Sequence, residues 1–389
     1  MTGHARPSSS ALEALEGLLD LREEVPHSRR TGDHVRLGVV GGRSGPRFLV
    51  PLDHPDALAP SCLAYLGLRD RRTRVTRGAV GLALRAHLGR LVVRGELTAD
   101  AGPGSLLAAV AEALDEPHGA TALAVAVGIG AFDEVWKPTL QVFRSDGTPA
   151  AFVKVGLGPV GEHLVRTEAA ALAAWSAEPD PRLVVPDLIA ELSWQGLPVA
   201  VVAPLPADAR RLPPGPVSAW AVRELDDGGT AGRVVDATWW KQRRADHHGH
   251  GEVDAILEQI EARHGDHEGR WGSMHGDWVP WNLARCSRGL VAWDWEYASD
   301  DAPAGLDEVH GAYQQARVVA RRSILEALTA ASDEARRLRA ADPDDARWLA
   351  DAEVALLVTR SATLEALLGH PPADQAELLA AARVTLELS

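Results

Sequence analysis

Apolar residues in this chain recur at helical spacing in some stretches and cluster or alternate in others, and the changes divide it. Leu12, Leu15, Leu18, Leu19 and Leu21 share one side of a helix over 11–24. Val35–Val40 and Arg47–Pro51 read as short strands around Gly41-Gly42-Arg43-Ser44-Gly45. That glycine cluster predicts a hairpin turn, because no helix start or Lys-Ser/Thr follows it to cradle a phosphate. Residues 55–98 read as mainly helical, and Asp100–Gly104 marks a boundary. A helix then leads into strands at Thr121–Val127, Lys137–Phe143 and Ala150–Val155, a helix over 161–177, and strands at 187–193 and 198–203. A proline-rich connector follows over 204–216. Beyond it the pattern is mostly helical, with long periodic segments at 304–330, 333–340, 344–368 and 373–387.

Composition narrows the class. The 389 residues carry 40 basic and 54 acidic side chains, a formal net charge of -14. An acidic total argues against nucleic acid or an anionic membrane as partner, since counterion release needs a basic surface. The polar start, Met1–Ser10, has no apolar core of the signal-peptide kind, and Gly119–Phe132 is too short to span a bilayer. Cys62 and Cys286 match no disulfide framework or metal spacing, so the expected location is cytoplasmic.

The chemistry concentrates in His275-Gly276-Asp277-Trp278-Val279-Pro280-Trp281-Asn282 and in Val291-Ala292-Trp293-Asp294-Trp295-Glu296. Between them, Leu283–Cys286 and Leu290–Trp293 read as strands around the turn Ser287-Arg288-Gly289. Such a hairpin sets residue 286 opposite 290 and Asn282 opposite Asp294, with directly paired side chains about 4.5–5.5 Å apart. An amide oxygen and a carboxylate at the open end are hard oxygen ligands suited to Mg2+. Asp277 approaches the same space and is placed to act on a substrate hydroxyl. An internal control is at hand: His264-Gly265-Asp266 repeats the tripeptide, but Trp271 stands where the Asn is needed.

Lys154 carries the second half of the argument. It lies on the strand Ala150–Val155 and is one of 3 lysines beside 37 arginines. A compact ammonium follows phosphate oxygens where Arg imposes a planar fork. Leu164, Glu168, Leu172 and Trp175 form one helical stripe, so Glu168 sits on an apolar face and needs a cation. Lys154 is the natural partner. Phosphoryl transfer needs a cation pair at the nucleotide phosphates, Mg2+ and a carboxylate to orient the acceptor hydroxyl. These residues fill the positions in chain order.

The chain resembles the aminoglycoside phosphotransferase and choline kinase superfamily, most nearly its uncharacterised actinobacterial-type phosphotransferases. The likeness rests on His275-Gly276-Asp277…Asn282, on Asp294 in Trp-Asp-Trp-Glu, and on Lys154 with Glu168, and it covers roughly 105–389. It implies an α+β, protein-kinase-like two-lobed fold: a small antiparallel-sheet lobe plus a larger helical lobe, with an N-terminal, mostly helical extension. The corresponding divisions are 1–104 for the extension, 105–205 for the nucleotide-binding lobe and 206–389 for the helical lobe. It also implies roles. Asp277 is the catalytic carboxylate and His275 supports its loop. Asn282 and Asp294 hold Mg2+, and Lys154 contacts the phosphates of ATP or GTP. The base lies against the backbone near Val202–Leu205, in the cleft between the lobes. Asp307 matches a structural acidic position. Gly128 and Gly130, in Gly128-Ile129-Gly130-Ala131-Phe132, stand where phosphates are covered but lack a full glycine-rich signature.

The expected function is Mg-dependent transfer of a γ-phosphoryl group to a hydroxyl of a small molecule such as an aminoglycoside, a choline-like alcohol or a sugar. A nucleotide-binding pseudokinase or interaction protein is the alternative. A metallohydrolase built on His275, Asp277 and Asp294 would leave Lys154 and Glu168 without a task. The six acids between Asp294 and Glu308, with no Lys or Arg among them, suggest a positively charged acceptor. Five of the twelve tryptophans, between Trp271 and Trp295, read as packing under the catalytic loop. His247, His248 and His250 read as a mobile loop in preference to a metal tract, and the arginines of 69–77 as a solvated helix face.

Overall fold

Alternating apolar positions in the first half of the chain build one large sheet, and helical periodicity in the second half builds a helical core. The computed structural model describes residues 7–23, 33–42, 45–69, 71–129, 135–177, 183–212 and 230–388. In chain order the first half contains α1 (Pro7–Leu19), β1 (Arg22–Glu23), β2 (His34–Gly42), β3 (Gly45–Pro51), α2 (Pro55–Leu58), α3 (Pro60–Leu63), α4 (Arg71–Arg85), β4 (Val93–Asp100), α5 (Leu106–Ala113), β5 (Ala124–Gly128), β6 (Thr139–Phe143), β7 (Pro149–Val155), α6 (Gly158–Ala177), β8 (Leu183–Val184), β9 (Leu188–Trp194), β10 (Leu197–Val202) and β11 (Arg210–Arg211). The second half contains β12 (Thr230–Arg233), α7 (Thr238–Asp246), α8 (Gly251–His264), β13 (Glu268–Met274), β14 (Leu283–Cys286), β15 (Gly289–Ala292), β16 (Ser299–Pro303), α9 (Leu306–Gln314), α10 (Ile324–Leu338), α11 (Pro343–Leu368) and α12 (Gln375–Leu388). A π-helical turn over Gln315–Val319 extends α9.

The chain divides into two compact units: Met1–Pro179 with Val184–Arg211 and Arg285–Val291, and Asp180–Leu183 with Leu212–Ala284 and Ala292–Ser389. The first holds a nine-stranded sheet in the order β1-β4-β2-β3-β5-β6-β7-β10-β9. Strands β3 and β5 are neighbours, with Phe48 paired to Gly128 and Leu49 to Val127, so one sheet runs through residue 104. Residues 93–98, the end of the stretch expected to be mainly helical, belong instead to β4, paired with β2 from His34↔Asp100 to Val40↔Val93. The physical reason is alternation: Leu97 and Ala99 are buried while Arg94 and Glu96 are exposed, a period of two.

One face of this sheet packs Leu37, Leu49, Val125, Val127, Leu140, Val153 and Val201 against Leu15 and Leu18 of α1 and Leu106 and Val110 of α5. On its other face Ala124, Ala126 and Phe143 pack with Ala57, and Phe48 and Val50 pack with Cys62 and Leu84. The second unit is mainly helical. Its core joins Trp240, Leu257, Trp271, Leu306, Val309, Leu328, Trp348, Val354 and Leu386 from seven elements, α7 through α12 and β13. An antiparallel-sheet unit and a mainly helical unit make this an α+β organisation. Among the described residues no helix is long and apolar enough to cross a membrane.

Candidate active site

The phosphate-binding half of the expected site is built on β7. This strand lies between β6 and β10, with Lys154 paired to Thr139 and Ala200. Alternation sends Ala151, Val153 and Val155 into the core and leaves Phe152 and Lys154 together on the other face. The Lys154 ammonium donates to both carboxylate oxygens of Glu168, at 2.6 and 2.7 Å. Glu168 is 2% exposed on α6, among buried Leu164, Val165 and Leu172. The stripe of 164, 168 and 172 thus delivers a carboxylate to the one short cation on the adjoining strand. A paired buried charge is tolerated, and its unpaired remnant costs several kcal/mol.

The remaining residues expected around the nucleotide fare unequally. Gly128 is exposed at the end of β5, and Gly130 lies outside the described residues. Val202 is buried and pairs with Phe152, while the Leu205 carbonyl accepts a hydrogen bond from the Tyr65 hydroxyl at 3.1 Å.

The loop expected to be catalytic follows β13 in the second unit. Asp307, at the start of α9, is 3% exposed and accepts two backbone N–H bonds, from His275 and Gly276, both at 2.8 Å. Burial pushes its carboxyl up to about 6, against the opposing pull of those two amides. Gly276 adopts φ +81°, and a Cβ there would lie 2.1 Å from the Tyr297 carbonyl oxygen, so glycine alone fits. Its own carbonyl takes a hydrogen bond from Arg360 at 2.8 Å.

His275 braces the turn from within. Its Nδ1 accepts from the Asp277 N–H at 3.2 Å, which leaves Nε2 to donate to the Trp293 carbonyl at 3.0 Å. That pairing selects the Nε2–H tautomer of a neutral ring. The imidazole is held between Trp278 and Trp295, with centroids at 5.6 and 4.6 Å.

Asp277 itself is half-buried. The Asn282 amide donates to its carboxylate at 2.8 Å and to its backbone carbonyl at 3.1 Å. Burial raises the Asp277 carboxyl above its ordinary range, and the Arg360 charge and the Asn282 hydrogen bond oppose that rise. Asn282 thus turns its amide nitrogen to Asp277, with its amide oxygen facing away from that carboxylate. Among the described residues no group of three or more His, Cys, Asp or Glu could hold a metal. Asn282 and Asp294, the two residues expected to hold Mg2+, flank the hairpin formed by β14 and β15.

The register between them differs from expectation. Strands β14 and β15 leave a two-residue turn, Ser287-Arg288, not the three-residue turn expected. The Trp293 N–H donates to the Asn282 carbonyl at 3.2 Å, so Asn282 faces Trp293 rather than Asp294. Asp294, one residue further on, takes the left-handed region at φ +65°. Aspartate is among the few residues that enter this region at modest cost, and such outliers gather at functional sites.

Four contributors escaped the sequence reading. Arg360, on α11, donates to Gly276 and lies 4.5 Å from the Tyr297 ring centroid. His310 on α9 meets Glu353 of α11 at 2.9 Å, and Arg360 approaches its other nitrogen at 3.4 Å. Tyr65 is the fourth. The available signal was a charge inside an apolar helix: Glu353 and Arg360 interrupt Val354–Val358 and Ala362 on a helix that is otherwise core.

Other expectations shift as well. Within the acidic run, Asp307 is consumed by the loop amides and Asp301 accepts from the Thr238 N–H at 2.8 Å. The run is thus partly structural. His247 is buried and bonds the carbonyls of Arg243 and Thr359, an anchored side chain in place of the expected mobile loop. Of the five tryptophans, Trp271, Trp278 and Trp295 are buried as packing, whereas Trp281 is 38% exposed. Arg77 is drawn over the Phe48 ring, 5.4 Å from its centroid, so the arginine run is not wholly solvated.

No family model matches the chain, and no curated protein matches it. Solved structures do. A thermostable variant of the aminoglycoside phosphotransferase APH(4)-Ia, in ternary complex with ADP and hygromycin B, matches at 13% identity with TM-score 0.45, over 66% of this chain and 92% of that one. A protein named as a fructosamine-3-kinase from Haemophilus somnus matches at 11% identity with TM-score 0.41, over 71% and 96%. The amicoumacin kinase hAmiN, in complex with AMP-PNP and Ca2+, matches at 11% identity with TM-score 0.38, over 66% and 87%. At such identities and TM-scores, fold and roles alike are argued from this chain's own residues.

Proposed function

We propose that the protein is a phosphotransferase that moves the γ-phosphoryl group of ATP or GTP to a hydroxyl of a small molecule. The observation that carries the reading is the Asn282–Asp277 hydrogen bond at 2.8 Å, on a loop whose preceding amides are both fixed by Asp307. Such bracing orients a carboxylate without neutralising it, which a base acting on an alcohol requires.

In the reaction the acceptor oxygen attacks the γ-phosphorus. The bond from that phosphorus to the β-bridging oxygen breaks, the nucleoside diphosphate leaves, and the hydroxyl proton passes to an Asp277 carboxylate oxygen. Lys154 holds nucleotide phosphate oxygens, and Glu168 fixes the direction of its ammonium. Asn282 and Asp294 would hold Mg2+, which supplies charge neutralisation at the phosphates. Asn282 has a second task, to keep Asp277 aimed.

The test is nucleotide turnover in Mg2+ with a panel of hydroxyl acceptors, comparing wild type with Asp277→Asn. The expected result is a loss of about 10²–10⁴-fold in kcat with nucleotide affinity retained. Equal turnover in the variant would refute the mechanism. Retained binding without turnover in either protein would leave a nucleotide-binding protein in place of an enzyme.

A further inference from the structure

The N-terminal segment reaches the place read above for the nucleotide base. Tyr65 follows α3 and lies with its ring centroid 5.6 Å from that of Phe152, at an interplanar angle of 43°. Phe152 is two residues before Lys154 on the same face of β7, about 7 Å along a strand. The Tyr65 hydroxyl donates to the Leu205 carbonyl at 3.1 Å, just beyond the end of β10. An aromatic ring on Phe152 with a donor on that carbonyl is what a purine and its exocyclic amine would present there.

The ring is held in place against a conformational cost. Tyr65 has φ +57° and ψ +23°, a left-handed conformation that a bulky residue adopts only when its surroundings compel it. The segment is docked tightly on both sides. A Cβ on Gly67 would lie 2.8 Å from Arg210 Cδ, and one on Gly147 would lie 2.6 Å from the Asp56 carbonyl oxygen. Burial also pushes the Tyr65 phenol up to about 12. Beside the ring is a cavity of about 860 Å³, lined by Tyr65, Leu63, Leu66, Leu84, Pro149 and Arg210 among others. That volume exceeds what a phenol ring needs, so Tyr65 has somewhere to go.

We infer that Tyr65 competes with the nucleotide base for Phe152 and the Leu205 carbonyl and moves into the neighbouring cavity when nucleotide binds, which makes it a determinant of nucleotide affinity. The inference rests on the phosphotransferase reading for the location of the base. Binding then carries the cost of releasing the Leu205 hydrogen bond and the Phe152 contact. A site that must first be vacated shows an affinity lowered by the fraction of time it is open.

The experiment is calorimetric titration of Mg-ADP and Mg-GDP into wild type, Tyr65→Phe and Tyr65→Ala, with the melting temperature of each unliganded protein as the folding control. Tyr65→Phe removes only the donor and should tighten binding about threefold to fivefold. Tyr65→Ala removes the ring as well and should tighten it about tenfold. Nucleotide bound equally by all three proteins would overturn the inference and leave the phosphotransferase reading standing. Weaker binding in Tyr65→Ala would also overturn it, by making Tyr65 a wall of the base site. No binding to any of the three folded proteins would overturn both.

Discussion

Replacing Gly276 by alanine tests the bracing of the His275–Asp277 loop without reference to any substrate. The added Cβ would lie 2.1 Å from the Tyr297 carbonyl oxygen and 2.7 Å from its Cβ, far inside contact distance. Relief requires either strand of backbone to move. The glycine N–H is bound to Asp307 at 2.8 Å and its carbonyl to Arg360 at 2.8 Å, so movement forfeits one or both. Hydrogen bonds to charged groups contribute about 1.5–3 kcal/mol each, and the left-handed backbone costs a non-glycine residue about 1 kcal/mol more. The expected destabilisation is about 3–5 kcal/mol. Gly272→Ala is the control, because nothing lies within 4 Å of its Cβ position in the same strand region; it should stay within about 1 kcal/mol of wild type. Urea unfolding followed by tryptophan emission is a suitable assay, since buried Trp271, Trp278 and Trp295 report on this unit. A Gly276→Ala midpoint within 1 kcal/mol of wild type would refute the reasoning, as would equal damage from Gly272→Ala.

Three further outcomes are expected. Lys154→Met leaves Glu168 buried without its 2.6 Å partner and should destabilise by about 3–5 kcal/mol, whereas adding Glu168→Gln should recover most of that stability and none of the nucleotide binding. Asp307, raised to about 6 when folded, keeps a proton that the unfolded chain has released; its favourable contribution is full below the unfolded value and lost as pH rises through about 6. Wild-type stability measured against Asp307→Asn should therefore fall by up to about 3 kcal/mol between pH 4 and pH 7.5, and a flat difference would exclude the assignment. In the proposed mechanism Asp277 acts ionised, and burial raises its carboxyl, so kcat/KM should climb with pH through a value above that of free aspartate; Asn282→Ala, which removes an opposing hydrogen bond, should move that limb higher still.

The fold and the site were legible to different depths. Local order was written in short-range periodicity: β7 and α6 carry Lys154 and Glu168 on faces that counting alone identifies, and the structure joins them at 2.6 Å. The His-Gly-Asp motif stood out because His275 and Asp277 are followed by Asn282 and Asp294, while the use of Gly276 at φ +81° was not expected. What escaped depends on long-range placement. Arg360 reaches Gly276 from 84 residues away in sequence, and Tyr65 reaches Leu205 from 140. No local pattern encodes either contact. Strand β4 was misread because Ala and Leu suit both periods, and its pairing with β2 decides the matter. The Asn282–Asp294 register failed for a smaller reason: a turn one residue shorter slips every partner beyond it.

The seam between β3 and β5 has a practical meaning for anyone trimming this protein. Cutting the chain at residue 104 would strip β5 of its neighbour at Phe48 and Leu49 and turn an interior strand into a border. Ala124–Val127 would then offer unpaired backbone on a buried, uncharged, proline-free stretch, the profile of a self-associating edge. Ala57 would also be lifted from Ala124, Ala126 and Phe143. The first hundred residues thus act as a guard rail for the sheet that carries Lys154, and a shortened protein that precipitates would say more about that edge than about catalysis.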